Sequence, residues 1–499
     1  MLPIASVVVL SIISPFVRGQ LPCDSACRNL SEILPGSVFF GQTAKSNLWS
    51  NFQAESVPQC RVEPQDAFAV SKILTVAKAY QCHFAVLAGG TSPFRYASNA
   101  EGGITIDMQR MKSVQLVDND LLHVKVGAGA VWADVYRELD PRNMSATGTR
   151  NSLTGVTGSI LGGGISFFSQ RFGWSCDTAV AFEAVLANGT LVNVTHNSYP
   201  DLFFALRGGG NNFAIVTSVV IEAFRDPPTW YTFQLWDIGI LGVIFQRLQD
   251  YTAQMPSEVW QLATTFGWHV PTRQFVISER IVGSGLPKLS SSLHYPAGEL
   301  SSKQSNVRET YIYQRSTLQM SQKMDIMNAP GFYNYFGSVT VKNHATIHLA
   351  LADAFCEEVF SIQKAAGLQI YIVYNPLTVE TLRKMQTRGG NALGIDPKDG
   401  PLTIVNINLH WNSESDIWLM TNFMRRLTTR FRQRAEELGM LHPYLFQNHA
   451  YEEQDVFSGY GNESLRRLRR IRKEVDPEGV FQKLQPGFFK LGEHVDSMS

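Results

Sequence analysis

The chain has 499 residues, with 43 basic and 43 acidic side chains that cancel to a formal net charge of zero. That balance argues against a nucleic-acid binder, which carries a basic surplus. A hydrophobic fraction of 44% against 17% charged excludes intrinsic disorder, and the length predicts two or more domains, or one with a large insertion.

Residues Leu2 to Val17 are mostly apolar, and a cut before Gln20 makes 1–19 a secretory signal peptide, although its start lacks Lys or Arg. No later run is long and apolar enough to span a bilayer. The expected location is therefore outside the cell or in the endomembrane lumen. All six cysteines fall in the mature chain, which permits disulfides, and Cys27 with Cys82 is the preferred pair. Asn29, Asn143, Asn188, Asn193 and Asn462 each begin an N-x-S/T sequon, so surface glycosylation is expected.

Ala67 to Ala79 has helical periodicity, and Phe84 to Leu87 is a short apolar strand that runs into Ala88-Gly89-Gly90. Strands follow at Ile104 to Met108 and Leu122 to Val126, then a helix at Val131 to Leu139. An Asn188-Gly189 turn joins strands Thr178 to Leu186 and Thr190 to Val194. A helix beginning at Tyr199-Pro200 ends in Arg207-Gly208-Gly209-Gly210, and Ile215 to Phe224 is a β-branched strand. Near Pro227 the texture changes. Helices at Phe245 to Ala253 and Asp416 to Glu437 alternate with strands at Gln274 to Ile281, Gln369 to Val373 and Leu402 to His410, which predicts an antiparallel sheet with helices. A basic helix at Arg466 to Lys473 is stopped by Asp476-Pro477-Glu478-Gly479.

Three glycine loops stand out: Ala88 to Pro93, Thr154 to Gly164, and Gly208 to Thr217. Their backbone N–H groups can form anion nests, and three in one region suggest a long ligand such as a dinucleotide. The Rossmann fingerprint fails after Val126-Gly127-Ala128-Gly129, because Trp132 takes the third glycine position. There is no G-K-[ST] and no G-x-S-x-G. His344 and His348 have zinc-helix spacing, but Ala345 replaces the catalytic Glu and no third ligand is apparent, so no metal is expected.

These loops resemble fungal members of the berberine-bridge-enzyme-like group, within the vanillyl-alcohol-oxidase and p-cresol methylhydroxylase superfamily of FAD-linked oxidases. The matching stretches are PQC near Cys60, FAVLAGGTSPF (Phe84 to Phe94), GITIDM (Gly103 to Met108), GVTGSILGGGISFFSQRFGWSCD (Gly155 to Asp177), LRGGGNNFAIVT (Leu206 to Thr217), GGNALG (Gly389 to Gly394) and VDPEGVFQKLQPGFFKL (Val475 to Leu491). The resemblance implies an α+β fold with a split FAD-binding domain: residues 20–226, completed by 444–499, with an antiparallel-sheet substrate domain at 227–443 between them. It implies FAD contacts from Gly89, Gly90, Thr91, Ser92, Asn151, Gly155, Gly158, Ser159, Gly162, Ile215, Val216 and Asn448.

Two departures matter. Thr91 stands where the family usually has a histidine bonded to the flavin 8α-methyl, and Asn151 where many members have a cysteine anchor. Neither side chain can form the usual link, so FAD is expected to be non-covalent and a weaker oxidant. In Ile404 to His410, alternation puts Asn406, Asn408 and His410 on one face. The family's corresponding strand lies over the flavin ring and carries catalytic polar groups, which makes Asn406 and His410 candidates. Phe446-Gln447-Asn448-His449 matches the family's Tyr-x-Asn, but Phe446 has no proton-accepting oxygen. His449 is the substitute base, and Tyr444 a further candidate.

The implied activity is oxidation of an alcohol or amine carbon of a secondary metabolite, by hydride transfer to flavin N5 with O2 as acceptor. The aromatic insert, with Trp260, Tyr333, Tyr335, Phe336 and Tyr374, favours an apolar small-molecule substrate. Two other readings stay open: a redox-silent isomerase or cyclase in the same pocket, and a non-enzymatic secreted binding protein.

Overall fold

The computed structural model of the chain describes residues 22–46, 48–117, 122–226, 229–284, 307–314 and 316–492. The expected signal peptide lies outside them.

Three sheets organise the described residues. A small one runs in the order Val38–Phe39, Cys60–Val62, Ile104–Asp107, Phe84–Leu87, with the last three strands parallel. Parallel neighbours need a crossover, and the helix Ala67–Ala79 supplies it. Asp66 caps that helix by accepting from the Ala69 N–H at 2.8 Å. Val70, Ile73, Leu74 and Ala77, at helical spacing, are its buried face.

The pairing Cys27–Cys82 is corrected by this arrangement. The helix Pro22–Ile33 sets Cys23 and Cys27 one turn apart on its buried face. Cys60 and Cys82 stand at the same end of the sheet, on either side of Ile104–Asp107. Cys23 meets Cys82 with Cα atoms 4.9 Å apart, and Cys27 meets Cys60 at 5.9 Å. A helix lying across the strands reaches one cysteine from each turn, so the nearer pairings form.

The second sheet is antiparallel and centres on Ile215–Arg225, flanked by His123–Gly127 and Ala179–Val185. The third has eight antiparallel strands. Their order is Val307–Gln314, Thr229–Trp236, Gln274–Ser284, Val259–His269, Gln369–Leu377, Leu402–Trp411, Tyr333–Lys342, Leu441–His442. Helices Leu241–Ala253, Ala345–Val359 and Ile417–Glu437 share one hydrophobic core with this sheet. Val405, Ile407, Leu409 and Trp411 join that core, so Asn406, Asn408 and His410 point the other way. All ten residues of Leu402–Trp411 are buried, so the polar face looks into the protein interior and not into solvent.

The tail returns to the first two sheets. Tyr444, Phe446, Tyr460, Leu468 and Phe489 pack with Trp132, Trp174 and Phe213. The Tyr460 hydroxyl donates to the Gly208 carbonyl at 2.9 Å, and the Phe84 N–H to Leu484 at 2.6 Å. The helix Gly461–Val475 docks through Arg467 and Arg470 on Asp201. His344 caps Ala345–Val359, while His348, fully buried, shares a hydrogen bond with the Thr403 hydroxyl at 3.1 Å.

Arg207 ties distant stretches together. It is fully buried and donates to the Cys176 carbonyl at 2.8 Å, the Gly390 carbonyl at 2.7 Å and Asp177 Oδ1 at 3.3 Å. Asp177 also accepts from Asn391 at 2.7 Å and from the Trp174 N–H at 2.8 Å. Burial pushes the Asp177 carboxyl up to about 6, against the pull of Arg207. Removing one partner of a buried pair strands the other charge, at a cost of about 3–5 kcal/mol. Arg207→Met should therefore lower the denaturant midpoint sharply, and adding Asp177→Asn should recover part of the loss. A single variant as stable as the parent would show that the pair is dispensable.

Candidate functional site

The three glycine loops meet at one cavity of about 320 Å³. Two of them touch backbone to backbone: a Cβ on Gly89 would lie 2.3 Å from Gly155 Cα, and one on Gly155 would lie 2.6 Å from the Gly89 nitrogen. Only glycine on both sides permits that approach. The third loop contributes Gly210 and Asn211, and the sheet contributes Gln261, Arg280, Tyr371, Asn406 and Asn408.

Gly89, Gly90, Thr91, Ser92, Asn151, Gly155, Gly158, Ser159, Ile215, Val216 and Asn448 all line the cavity. Gly162 does not. A Cβ there would sit 1.7 Å from Asn448 Oδ1, so this glycine makes room for Asn448. Asn448 in turn donates to the Ser159 carbonyl at 3.0 Å, which ties the tail to the second loop.

Asn406 and His449 line the cavity; His410 and Tyr444 are placed outside it. His410 donates Nδ1–H to Asn334 Oδ1 and is surrounded by the rings of Trp49, Phe336 and Tyr371. Tyr444 is buried between Trp174 and Tyr460, with ring centroids 6.1 and 5.8 Å away. Of the five aromatics expected to shape the pocket, only Phe336 lines it. Tyr333 and Tyr335 stack around Phe52 and Trp411, Tyr374 donates to the His348 carbonyl at 3.0 Å, and Trp260 packs on Phe168. Sequence reading missed Arg150, Arg280 and Tyr371. Tyr371 could have been found from its register opposite Asn408; the arginines carried no local signal.

His449 differs from the expected titrating base. It is stacked on Phe336 at 4.6 Å, and burial, with Arg150 nearby, pushes its pKa down to about 3. It is neutral at ordinary pH. Phe446 lines the cavity without an oxygen, and the Tyr371 phenol is pushed up to about 12 by burial, so it keeps its proton.

The residues suit a polyanionic, ring-bearing ligand. Among the described residues, the backbone N–H groups of Gly89, Gly90, Thr91 and Ser92 have no protein acceptor, which is what a phosphate nest requires. Both amide atoms of Asn406 are buried without a partner, as is His449 Nδ1. Such atoms are costly unless a ligand completes them.

The FAD binding domain family matches residues 58–195. The FAD-dependent monooxygenase tpcD of Cochliobolus heterostrophus is 31% identical, over 90% of this chain and 88% of its own. An FAD-dependent monooxygenase of Fusarium proliferatum is 30% identical, over 94% of each chain. Among solved structures, the berberine-bridge-enzyme-like protein 1 of Physcomitrella patens superposes with a TM-score of 0.74 at 19% identity, covering 94% of this chain and all (100%) of that one. The glucooligosaccharide oxidase of Acremonium strictum does so at 0.74 and 19%, covering 92% and 96%; its FAD is described as 6-S-cysteinyl, 8α-N1-histidyl.

The lowered histidine has a sign that can be checked. His449 goes neutral on folding, so its contribution to stability is complete above the unfolded value near 6.5 and is lost as pH falls toward about 3. In ¹³C-histidine NMR, the resonance that disappears in His449→Gln should keep its neutral-imidazole shift from pH 8 down to 5. Titration midway through that range would restore His449 as an ordinary base.

Proposed function

Because the chain belongs to the FAD-linked, berberine-bridge-enzyme-like oxidoreductases, we propose that it holds FAD without a covalent link. We infer that it oxidises an alcohol or amine carbon of a small secondary metabolite, with O2 accepting the electrons. The observation that carries the non-covalent reading is that Thr91 and Asn151 both line the cavity. One has a hydroxyl and the other an amide where the family has an imidazole and a thiol.

Bound FAD supplies the hydride acceptor. The loop N–H groups of Gly89 to Ser92 would hold its phosphates, and Asn448 keeps the second loop in place. Asn406 offers an unused donor and acceptor toward the ring end of the cavity, suited to orienting a substrate hydroxyl or a developing oxyanion. His449 acts as a neutral acceptor that positions substrate, because a group with so low a pKa is a weak base. Arg225 and Asp226 mark the end of the first FAD-binding segment, 227–443 the substrate-binding domain, and 444–499 the segment that completes the FAD domain. The signal peptide, the two disulfides and the sequons support a secretory route. Asn143, Asn188, Asn193 and Asn462 are exposed, whereas Asn29 is half-buried on Pro22–Ile33. Among the described residues no helix is long and apolar enough to cross a membrane.

A second reading, isomerisation or cyclisation without net oxidation, is favoured by one observation: the family's tyrosine is Phe446 and the neighbouring His449 is a poor base. Product mass separates the readings. Loss of two hydrogens with one peroxide per turnover is expected, gain of an oxygen atom would make the chain a monooxygenase, and unchanged mass would support the isomerase.

Acid precipitation of the purified yellow protein should leave all flavin in the supernatant. Colour in the pellet would overturn non-covalent binding. Asn406→Ala should lower kcat/KM by about 10–1000-fold, the range for losing an oriented donor, with flavin content unchanged.

A further inference from the structure

Two arginines, Arg150 and Arg280, line the cavity together with Tyr371. Arg280 stands on Gln274–Ser284, opposite Ala263, which also faces the cavity. Arg150 precedes Asn151 and donates one Nη to Asn375 Oδ1 at 2.8 Å. Asn375 is itself fixed, donating to the Val373 and Ile404 carbonyls at 3.1 and 3.3 Å. The guanidinium is therefore held at one corner, and the rest of it faces the cavity.

Neither arginine is in an ion pair among the described residues. Among the described residues the Arg280 side chain meets the Met327 sulfur at 3.0 Å and the Phe233 ring at 5.7 Å, with no hydrogen bond to oxygen or nitrogen. Asp325, the carboxylate lining the same cavity, accepts from the Ser152 N–H at 2.9 Å, the Ser152 hydroxyl at 2.5 Å and the Leu153 N–H at 3.4 Å. The chain pairs other sheltered arginines: Arg61 with Glu63 and Asp107, Arg207 with Asp177, Arg247 with Glu279. Two like charges side by side with no acid are costly. Burial and the charge of Arg280 together depress Arg150 to about 10.

We propose that Arg150 and Arg280 form a subsite for a delocalised oxyanion on the substrate, either a carboxylate or the ionised oxygen of an acidic phenol or enol. The subsite rests on the FAD-oxidoreductase reading, since it names the substrate class of that site. A guanidinium presents paired donors that match such an oxyanion. Where that oxyanion is a phenolate or enolate conjugated to the oxidised carbon, hydride loss leaves a neutral quinone methide or enone and no proton has to be removed, which fits a cavity holding Phe446 and a neutral His449. A carboxylate would only anchor the substrate, and the proton of its reacting hydroxyl or amine would leave to solvent.

The test titrates the flavin-containing protein with benzoate, with pentafluorophenolate and with neutral benzamide, followed by flavin absorbance and by calorimetry. Saturable binding of at least one anion is expected, with benzamide at least tenfold weaker. Binding of benzoate alone identifies a carboxylate, and of pentafluorophenolate alone a phenolate or enolate. Arg150→Met and Arg280→Met should each weaken anion binding by roughly ten- to hundredfold, the worth of one charged hydrogen bond, at unchanged flavin content. Should Arg150→Met misfold, Arg280→Met decides, because among the described residues the Arg280 side chain makes no polar bond beyond the Met327 sulfur. Benzamide binding as well as benzoate, neither anion binding, or variants that lose flavin while keeping the anion would overturn the subsite. Protein that carries no flavin would fail the FAD reading instead, and calorimetry with benzoate would still decide the subsite.

Discussion

The buried pair of Arg207 and Asp177 is the constraint on which the site depends. Asp177 follows Ser175 and Cys176, whose N–H groups bond the Gly164 and Gly163 carbonyls at the end of the second loop, Arg207 immediately precedes the third glycine loop, and Gly390 and Asn391 belong to a turn far along the chain. One guanidinium and one carboxylate fix all three. A fully buried charge pair is stable only when its remaining hydrogen bonds are filled, so the backbone carbonyls of Cys176 and Gly390 must come to Arg207. That requirement sets the third loop against the second, and the cavity is what lies between them. A purely apolar contact would hold these segments with similar strength but with less control of direction, because burial is non-directional.

The cavity inherits two unlike walls. The loop wall is backbone, with glycines where side chains would collide and N–H groups left over. The sheet wall is side chains, set by strand alternation: while Val405 and Ile407 enter the helix core, Asn406 and Asn408 must face inward. Low-dielectric surroundings then sort the titrating groups by charge. His449 and Tyr371 are held neutral, while the arginines at this wall, whose ordinary pKa is far above neutrality, keep a charge, and the carboxylate of Asp325 is taken up by Ser152 and Leu153. The electrostatics of the sheet wall are therefore positive without any acid to balance them.

Much of this was legible in the sequence, for physical reasons. Ala67–Ala79 and Phe84–Leu87 were read with the bounds they have, because their periodicity and flanking turns agree. The glycine loops were legible because a run of residues without Cβ has few other uses. The polar stripe of Leu402–Trp411 was legible as alternation, but its end was not. His410 lies past the cavity and is held through Nδ1 by Asn334, a contact between neighbouring strands that no local pattern encodes. Gly162 and Tyr444 stand off the cavity for a similar reason: one makes space for Asn448 and the other packs on Trp174, both across long separations. The disulfides required the lay of one helix across a sheet. Arg150 and Arg280 are ordinary in sequence and become unusual only when their partners are found to be missing.

Non-covalent FAD would change how this fold is held together. Where a family member is tethered to its flavin, the cofactor cannot leave, and the two walls stay joined through it. With Thr91 and Asn151 in place of the tethers, a non-covalent flavin would stabilise the native state only by mass action, to the extent that its concentration exceeds its dissociation constant. The protein must then bring its two walls together without help. It does so with its own contacts: Arg207 with Asp177 between loop segments, and Arg150 with Asn375 and the Phe446 N–H with the Ser338 hydroxyl between loop or tail and sheet. Each joins segments that wall the cavity, and each is buried or nearly so. A cavity built in advance of its ligand loses little ordering entropy on binding, which is the condition under which a dissociable flavin can be held tightly.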